Sequence, residues 1–392
     1  MKQLIIVLIN TFVFSSILFS QNNIDKILTE VEVNNTSLSV LRKSAEAEII
    51  GNKTGTYLQN PEVEFNYLWS DPIVIGNRTD VNISQSFDFP TAYLFKNQIS
   101  NIKNEQIDLE YDKQLKALLL QARLVCNDLV YTNALMSELS KRLIHAQNIA
   151  DSHKSKYDVG DTNILEYNKA QLNSLNISKE LESIEIERNS LLSELTILNG
   201  GIAIDFTDRT FQSPIIPNDF EQWYVSVEQN NPILSWLMKE MEIDKKKEKL
   251  NRAMSLPKLQ AGFMSEKIVG EQFQGVTIGL SIPLWENKNT VKYAKANMLA
   301  LESMANDNRI QIYNRLRALH AKSIMLSENV NDYRFNLLLY DNSELVKKAL
   351  DKGEITLVDY IIELSIYYKS VNNLLELELE LNNALAELNQ YN

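Results

Sequence analysis

Residues 91–156 form a long stretch of the chain that contains neither a glycine nor a proline. Glycine and proline disfavour an α-helix most, so their absence predicts a single very long helix. At 1.5 Å per residue this helix would be about 99 Å long. Apolar and small residues recur along it at spacings of three and four, which is typical of a coiled-coil seam. The seam consists of Leu115, Leu118, Ala122, Val125, Leu129, Thr132, Met136, Leu139, Leu143, Ala146, Ala150, His153 and Tyr157.

Several landmarks of the sequence occur twice, in the same order. An Asn-Asn pair followed by Leu-Ser stands at residues 34–39 and returns 196 residues later, at 230–235. Such repetition predicts a duplicated unit, here helix, strand, strand, very long helix, turn and helix. Three further pairs follow in the same order: Pro61 with Pro257 at the offset of 196 residues, and Pro90 with Pro283 and Gly160 with Gly353 at an offset of 193.

The two repeats meet near residue 217. We expect an N-terminal helix of about Ile24–Tyr57, which would stack end to end with the helix 163–199 and so match the length of one long helix. In the first repeat, residues 21–217, we expect strands at about 61–70 and 79–89, the long helix 91–156 and the helix 163–199. In the second repeat, residues 218–392, we expect strands at about 257–267 and 275–284, a long helix 286–352 and a helix 356–390.

The four predicted strands alternate between apolar and polar residues. Strands of about ten residues with this period are typical of a transmembrane barrel, and a small soluble sheet covered by helices has the same period. Four strands are too few to close a barrel, and a single chain leaves two unpaired edges, so the barrel interpretation requires several chains. The apolar positions include Val63, Phe65, Tyr67, Trp69, Val81, Ile83, Phe87, Leu259, Ala261, Phe263, Val276, Ile278, Leu280 and Ile282.

The N-terminus resembles a secretory signal peptide. Residues 1–20 carry one charge, Lys2, followed by an apolar run from Leu4 to Phe19. An uncleaved membrane anchor is the alternative. No later stretch is long and apolar enough for a transmembrane helix. The sequence therefore predicts export.

Composition and motifs exclude several classes of function. The formal charge of −12 disfavours nucleic acid as a partner, because phosphate binding needs a basic surface. A single cysteine, Cys126, excludes a disulfide framework. The sequence has no GxGxxG, GxxxxGK[ST], HExxH or GxSxG motif, so we expect neither an enzyme nor a cofactor or metal site. A basic run at residues 245–249 is interpreted as a solvated helix face.

A duplicated helix–hairpin–long-helix chain behind a signal peptide resembles the outer-membrane efflux protein (TolC-like) family. The resemblance covers essentially the whole chain after the signal peptide. It is carried by two strand-to-helix junctions, at Pro90 and Pro283, and by two turns between helices. Each turn is similar to the family pattern of Gly, Ser or Thr, two apolar residues and an acidic residue. The turns span residues 157–171 and 350–360.

The resemblance implies a mainly α-helical chain with a β-barrel portion. Three chains would form a twelve-stranded barrel in outer-membrane lipid, continued by an α-helical coiled-coil barrel in the periplasm. It implies a passive exit duct of a tripartite efflux or type I secretion system, joined through a periplasmic adaptor to an inner-membrane pump. A soluble periplasmic coiled-coil scaffold without a pore is the alternative.

The two turns have both a structural and a functional interpretation. Gly160 and Gly353 would supply the left-handed residue that ends a long helix, while Thr162 or Asn163, and Thr356, would cap the next helix. In the functional interpretation the turns form a periplasmic gate and the adaptor contact. Family members place a second acidic residue three positions after the one matched by Asp359, where this chain has Ile362. The residues that we assign to these tips are Gly160, Asp161, Glu166, Gly353, Glu354 and Asp359.

Overall fold

The computed structural model of the chain describes residues 23–71, 76–213 and 215–391. The predicted signal peptide, residues 1–20, lies outside the described residues. No helix of the described part is both long enough and apolar enough to cross a membrane. The elements are α1 (Asn23–Asn34), α2 (Thr36–Gly51), β1 (Glu62–Leu68), β2 (Arg78–Phe87), α3 (Pro90–Asp158), α4 (Ile164–Leu198), α5 (Phe220–Asn230), α6 (Pro232–Met254), β3 (Lys258–Ile268), β4 (Glu271–Ser281), α7 (Thr290–Leu339), α8 (Ser343–Asp351) and α9 (Leu357–Leu388).

The long helix α3 organises the first repeat. Its seam residues Ala122, Leu129 and Leu139 are fully buried, as their spacing predicted. The helix α2 packs against the half of α3 nearer the sheet, α4 packs against the other half, and α1 adds to the core where they meet. The segment between α4 and α5 crosses α3 near its middle, where the Asn133 side chain donates to the backbone carbonyls of Phe206 and Asp208.

The prediction of a single N-terminal helix over about 24–57 is wrong. The structure contains two helices, α1 and α2, separated at Asn35. The Asn35 side chain caps α2 by accepting from the Leu38 amide at 2.9 Å, and it donates to the Leu198 carbonyl at 2.8 Å. Asn231 also caps a helix in the second repeat, where its side chain accepts from the Ile233 and Leu234 amides at the start of α6. The duplicated Asn-Asn pair therefore marks the start of a helix in each repeat.

The prediction of a continuous helix over 286–352 is also wrong. Residues 284–289 form turns, and the helix that follows is divided into α7 and α8. At the division, Asp341 accepts hydrogen bonds from the Ser343 amide at 3.0 Å and from its hydroxyl at 2.6 Å. Side-chain bonds of this kind compete with the helical backbone pattern and favour a new helix start. No glycine or proline is needed for this break.

The four strands form one antiparallel sheet in the order β1-β2-β3-β4. Its central pair, β2 and β3, joins the two repeats, with Ile83 opposite Phe263. The β3–β4 hairpin turns through two residues, Val269 and Gly270, so both strands are longer at that end than expected. Within the described residues, β1 and β4 each leave one edge unpaired.

Candidate functional site: the sheet and the tip turns

One face of the sheet is apolar and open to the surroundings. Val276 is 85% exposed and Ile278 is 83% exposed, although both lie within a strand that is paired along its length with β3. A continuous apolar patch of this kind normally marks an interface with protein or lipid. Other exposed members of the face are Val63, Phe65, Tyr67, Ile83, Leu259, Phe263 and Leu280.

The opposite face is mostly polar, and its exposed apolar side chains are Leu68, Met264 and Phe273. In the central strand β2, Asp80 and Ser84 are buried, whereas Ile83 is exposed. On this face Arg78 pairs with Asp80 at 2.8 Å and with Glu266 on β3 at 3.2 Å. A soluble sheet covered by helices would show the opposite arrangement, because its apolar face would be the buried one. Among the described residues no helix packs extensively against either face of the sheet. The sheet is therefore mostly polar on one face and mostly apolar on the other.

Exposed aromatic side chains lie at both ends of the sheet. Trp69 is 79% exposed beyond the end of β1, and Trp285 is 78% exposed beyond the end of β4. Tyr93, near the end of β2, is engaged within the chain: its hydroxyl accepts from the Asp88 amide at 3.1 Å and its ring contacts Lys96. Tyr293, which sequence reasoning did not single out, is exposed instead.

The two strand-to-helix junctions differ although both contain a proline. Pro90 is the first residue of α3, where its missing amide proton has no consequence for helix hydrogen bonding. Beside it, the buried Asp88 carboxylate forms an ion pair with Lys96 at 2.9 Å. Pro283 is separated from α7 by the turns at 284–289. The first junction thus enters its helix directly, and the second does so through a short loop.

Both predicted tip glycines have left-handed backbones. The φ angle is +81° at Gly160 and +73° at Gly353. The residues after them, Asp161 and Glu354, donate their amides to the carbonyls of Lys156 and Ala349, five residues earlier in each case. These bonds are those of the Schellman motif, which ends a helix at a glycine. Both long hairpins therefore end in the same backbone geometry.

The helices that leave the two tips are capped differently. Asn163, rather than Thr162, caps α4 by accepting from the Glu166 amide at 3.0 Å, and the Glu166 carboxylate instead pairs with Lys169. In α9, Thr356 and Asp359 form a reciprocal capping box. The hydrogen bonds from the Thr356 hydroxyl and amide hold the pKa of the Asp359 carboxyl below its usual range.

The two tips lie at the same end of the molecule. One core cluster contains Ala150 of α3, Ala170 of α4, and Leu357, Tyr360 and Leu364 of α9. This cluster places the first turn of α9 against both helices of the first hairpin. Acidic residues of both turns are therefore presented at one end, opposite the sheet.

Side chains of the types that catalyse reactions or bind metal ions are held in contacts within the chain itself. Among residues 23–71, 76–213 and 215–391, no group of three His, Cys, Asp or Glu side chains is arranged to hold a metal ion. His320 lies 2.7 Å from the Pro217 carbonyl through Nε2. Burial raises the pKa of the Cys126 thiol to about 12, which keeps it protonated and unreactive.

We expect the α9 capping box to depend on pH. Because the folded-state pKa of Asp359 is depressed, its stabilising effect is present above the ordinary carboxyl pKa of about 3.9 and is lost as pH falls through the lowered value. The protection of amide protons in the first turn of α9, measured as the exchange rate relative to that of an unstructured chain at the same pH, should fall there. Thr356→Ala should lower this protection at all pH values. The first turn of α4 provides the control. An equal acid response in both turns would contradict the assignment.

The architecture is that of outer-membrane channels with known structures. The Campylobacter jejuni CmeC outer membrane channel matches with a TM-score of 0.76 and 14% identity, over 95% of this chain and 86% of CmeC. CusC matches with a TM-score of 0.78 and 13% identity, over 95% and 92%. The open state of the Neisseria gonorrhoeae MtrE outer membrane channel matches with a TM-score of 0.76 and 12% identity, over 94% and 88%.

Neither a protein-family model nor a curated protein matches the sequence. The resemblance to the TolC-like family is confirmed by the solved structures at the level of the fold. The single chain is mainly α-helical with a four-stranded antiparallel sheet, as the resemblance implied. At identities of 12–14%, the likeness to these channels is one of fold.

Proposed function

We propose that the protein is one protomer of a homotrimeric outer-membrane channel and forms the exit duct of a tripartite efflux or type I secretion system. The observation that carries this proposal is the exposed apolar face of the sheet, against which no helix packs extensively among the described residues, opposite a mostly polar face. The likeness of fold to solved outer-membrane channels supports it.

Closure of the barrel follows from the two free edges. If β1 of one protomer pairs with β4 of the next, three copies give twelve strands and leave no edge unpaired. The apolar face then contacts lipid and the polar face contacts water, which is the arrangement of a transmembrane barrel. Trp69 and Trp285 lie at opposite ends of the sheet, where aromatic girdles occur.

Transport through such a duct is passive. The barrel lumen and the helical tunnel provide a water-filled path, and an inner-membrane pump, joined by a periplasmic adaptor, supplies the energy. The tip turns at Gly160 and Gly353 form the periplasmic mouth and the adaptor contact. Opening requires the helical hairpins to move apart at this end.

Fractionation and conductance test the proposed function. We expect the full chain in outer-membrane detergent extracts, as a trimer by light scattering, with discrete conductance steps in planar bilayers. The alternative, a soluble periplasmic scaffold, predicts a protein that osmotic shock releases and that gives no conductance. Recovery of a monomer in the shock fluid would overturn the channel proposal.

The tip carboxylates would give the mouth a ring of negative charge. Asp359 is fully solvated on the side not used by Thr356, so it can both cap α9 and contribute charge to this ring. Glu354, Asp161 and Glu166 are exposed or partly exposed at the same end. Members of the resembled family have a second acidic residue where this chain has Ile362. Asp359 would therefore be the only one of these two positions to contribute negative charge to the ring.

We expect Asp359→Asn to weaken block of the channel by a trivalent cation added from the periplasmic side. The reason is that the substitution removes one carboxylate from each protomer, and so three from the mouth of the trimer. Thr356→Ala is the matched control, because it breaks the capping box and retains the charge. The measurement is the concentration for half block in planar bilayers. An equal change in both variants would assign the effect to the cap and contradict the charge ring.

A further inference from the structure

Positive charge is concentrated in two segments of this acidic chain. Residues 245–258 and 282–295 together contain nine Lys or Arg and two Glu, in a chain whose formal charge is −12. The first segment includes the end of α6 and the start of β3, and the second joins β4 to α7. The basic run at 245–249 belongs to this concentration.

The structure brings the two segments together at the helical end of the sheet. Lys258 is paired with Ser281 at the end of the β3–β4 ladder. The Asn287 side chain donates to the Met254 carbonyl at 2.6 Å, and the Asn251 side chain donates to the Thr290 carbonyl at 3.1 Å. These bonds fix the loop at 282–289 against the end of α6. We call this surface, formed by residues 245–258 and 282–295, the basic collar.

The two carboxylates of the basic collar are already engaged. Glu286 accepts from Lys258 at 3.1 Å, and Glu248 pairs with Arg252 at 2.7 Å. Lys249, Lys288 and Lys292 are exposed and have no carboxylate partner among the residues that the structure describes. Part of the positive charge of the basic collar is therefore not paired with any carboxylate of the described residues.

The basic collar continues the apolar face of the sheet. Ile282, Leu284 and Trp285 extend the outward-facing row of β4, and Tyr293 follows on α7; all four side chains are mostly exposed. The equivalent stretches of the first repeat, residues 49–62 and 89–102, contain two basic residues against the nine of the collar. These are Lys53 and Lys96, and Lys96 is paired with Asp88. An exposed tryptophan beside unpaired lysines suits the boundary between acyl chains and anionic headgroups.

We infer that the basic collar binds the headgroups of anionic phospholipids in the leaflet on the helical side of the sheet. This inference rests on the proposed membrane insertion of the sheet. Trp285 lies at the level of the headgroups, and Lys288 and Lys292 contact their phosphates. The partner is a lipid because the charge directly borders the apolar face and is complementary to an anionic leaflet.

Site-specific quenching tests this inference in the full-length chain. The protein has four tryptophans, so single-Trp variants that keep Trp285 or Trp69 report on the two ends of the sheet. They are reconstituted in mixed phosphatidylcholine and phosphatidylglycerol bilayers in which one of the two lipids carries brominated acyl chains. We expect brominated phosphatidylglycerol to quench Trp285 more than brominated phosphatidylcholine at the same mole fraction, and to show no such preference at Trp69.

Lysine variants then test the source of the preference. Lys288→Gln with Lys292→Gln should remove it, since each lysine near an anionic surface contributes on the order of a fivefold factor in binding. Lys154→Gln with Lys369→Gln is the matched control, because it removes two exposed, unpaired lysines far from the sheet and should retain the preference.

The outcomes separate the two proposals. If neither lipid quenches Trp69 or Trp285, the sheet is not in the bilayer and the proposed function itself fails. If both tryptophans are quenched but Trp285 shows no preference, or keeps it in the collar variant, the lipid site is overturned alone. Loss of the trimer in the collar variant, measured by light scattering, would instead assign the lysines to a contact between protomers and also overturn the lipid site.

Discussion

Val276→Arg should prevent stable assembly of the protein in the outer membrane. Val276 lies at the centre of β4, on the open apolar face, and pairs with Phe263. An arginine facing lipid at the middle of a bilayer costs about 2–4 kcal/mol, and the proposed trimer would carry three copies. We expect the trimer to disappear from outer-membrane extracts. Heat-modifiability of the extracted protein on gels is the measurement.

Thr277→Arg is the matched control for this substitution. Thr277 is the next residue of the same strand, faces the polar side, and pairs with Gly262, which has no side chain to obstruct a longer group. The trimer should therefore persist with a changed single-channel conductance. If both variants assembled equally well, the assignment of the two faces would be wrong, and a soluble sheet would become the better interpretation.

Gly200→Ala should strongly destabilise the first repeat. Gly200 follows α4 with a φ angle of +67°, and a Cβ atom there would lie 2.2 Å from the Asn34 carbonyl oxygen. The obstructing atom belongs to the backbone, which the hydrogen bond from the Asn35 side chain to Leu198 holds in place. We expect a loss of about 3 kcal/mol or more in the free energy of unfolding, measured by chemical denaturation of the detergent-solubilised protein.

The neighbouring Gly201 separates the two causes of this loss. Its φ angle is +88°, but a Cβ atom there would meet nothing within 4 Å. Gly201→Ala should therefore show the cost of the left-handed conformation alone, about 1 kcal/mol. A loss in Gly200→Ala no larger than in Gly201→Ala would show that the close approach of Asn34 relaxes without cost.

The long hairpins and their tips could be predicted from the sequence because local interactions determine them. The seam of α3 follows from the spacing of its apolar residues, and the ends of the hairpins follow from Gly160 and Gly353. The capping box of Thr356 and Asp359 involves residues three apart, so its pattern is visible without a structure. Asn163 could not be distinguished from Thr162, since both residue types cap helices well.

The two incorrect helix predictions, over 24–57 and 286–352, show where the local sequence pattern does not determine the structure. Asn35 leaves the helix because its side chain caps α2 and also bonds to Leu198, 163 residues away in sequence. Asp341 ends α7 through a side-chain bond to Ser343, although neither residue is a strong helix breaker. In both cases a short polar side chain replaced a backbone hydrogen bond, which helix periodicity does not detect.

The sequence by itself determined the long helix α3, the two glycine turns, the alternation of the strands and the acidic residues of the tips, because each depends on residues close together in the chain. Only the tertiary structure decided that the apolar face is left uncovered by helices in the described residues, since a covered and an uncovered sheet have the same period. It also decided that β2 pairs with β3 and that the segments 245–258 and 282–295 form one basic collar. These features arise from contacts between the two repeats or between distant segments of one repeat, and such contacts leave no local pattern in the sequence.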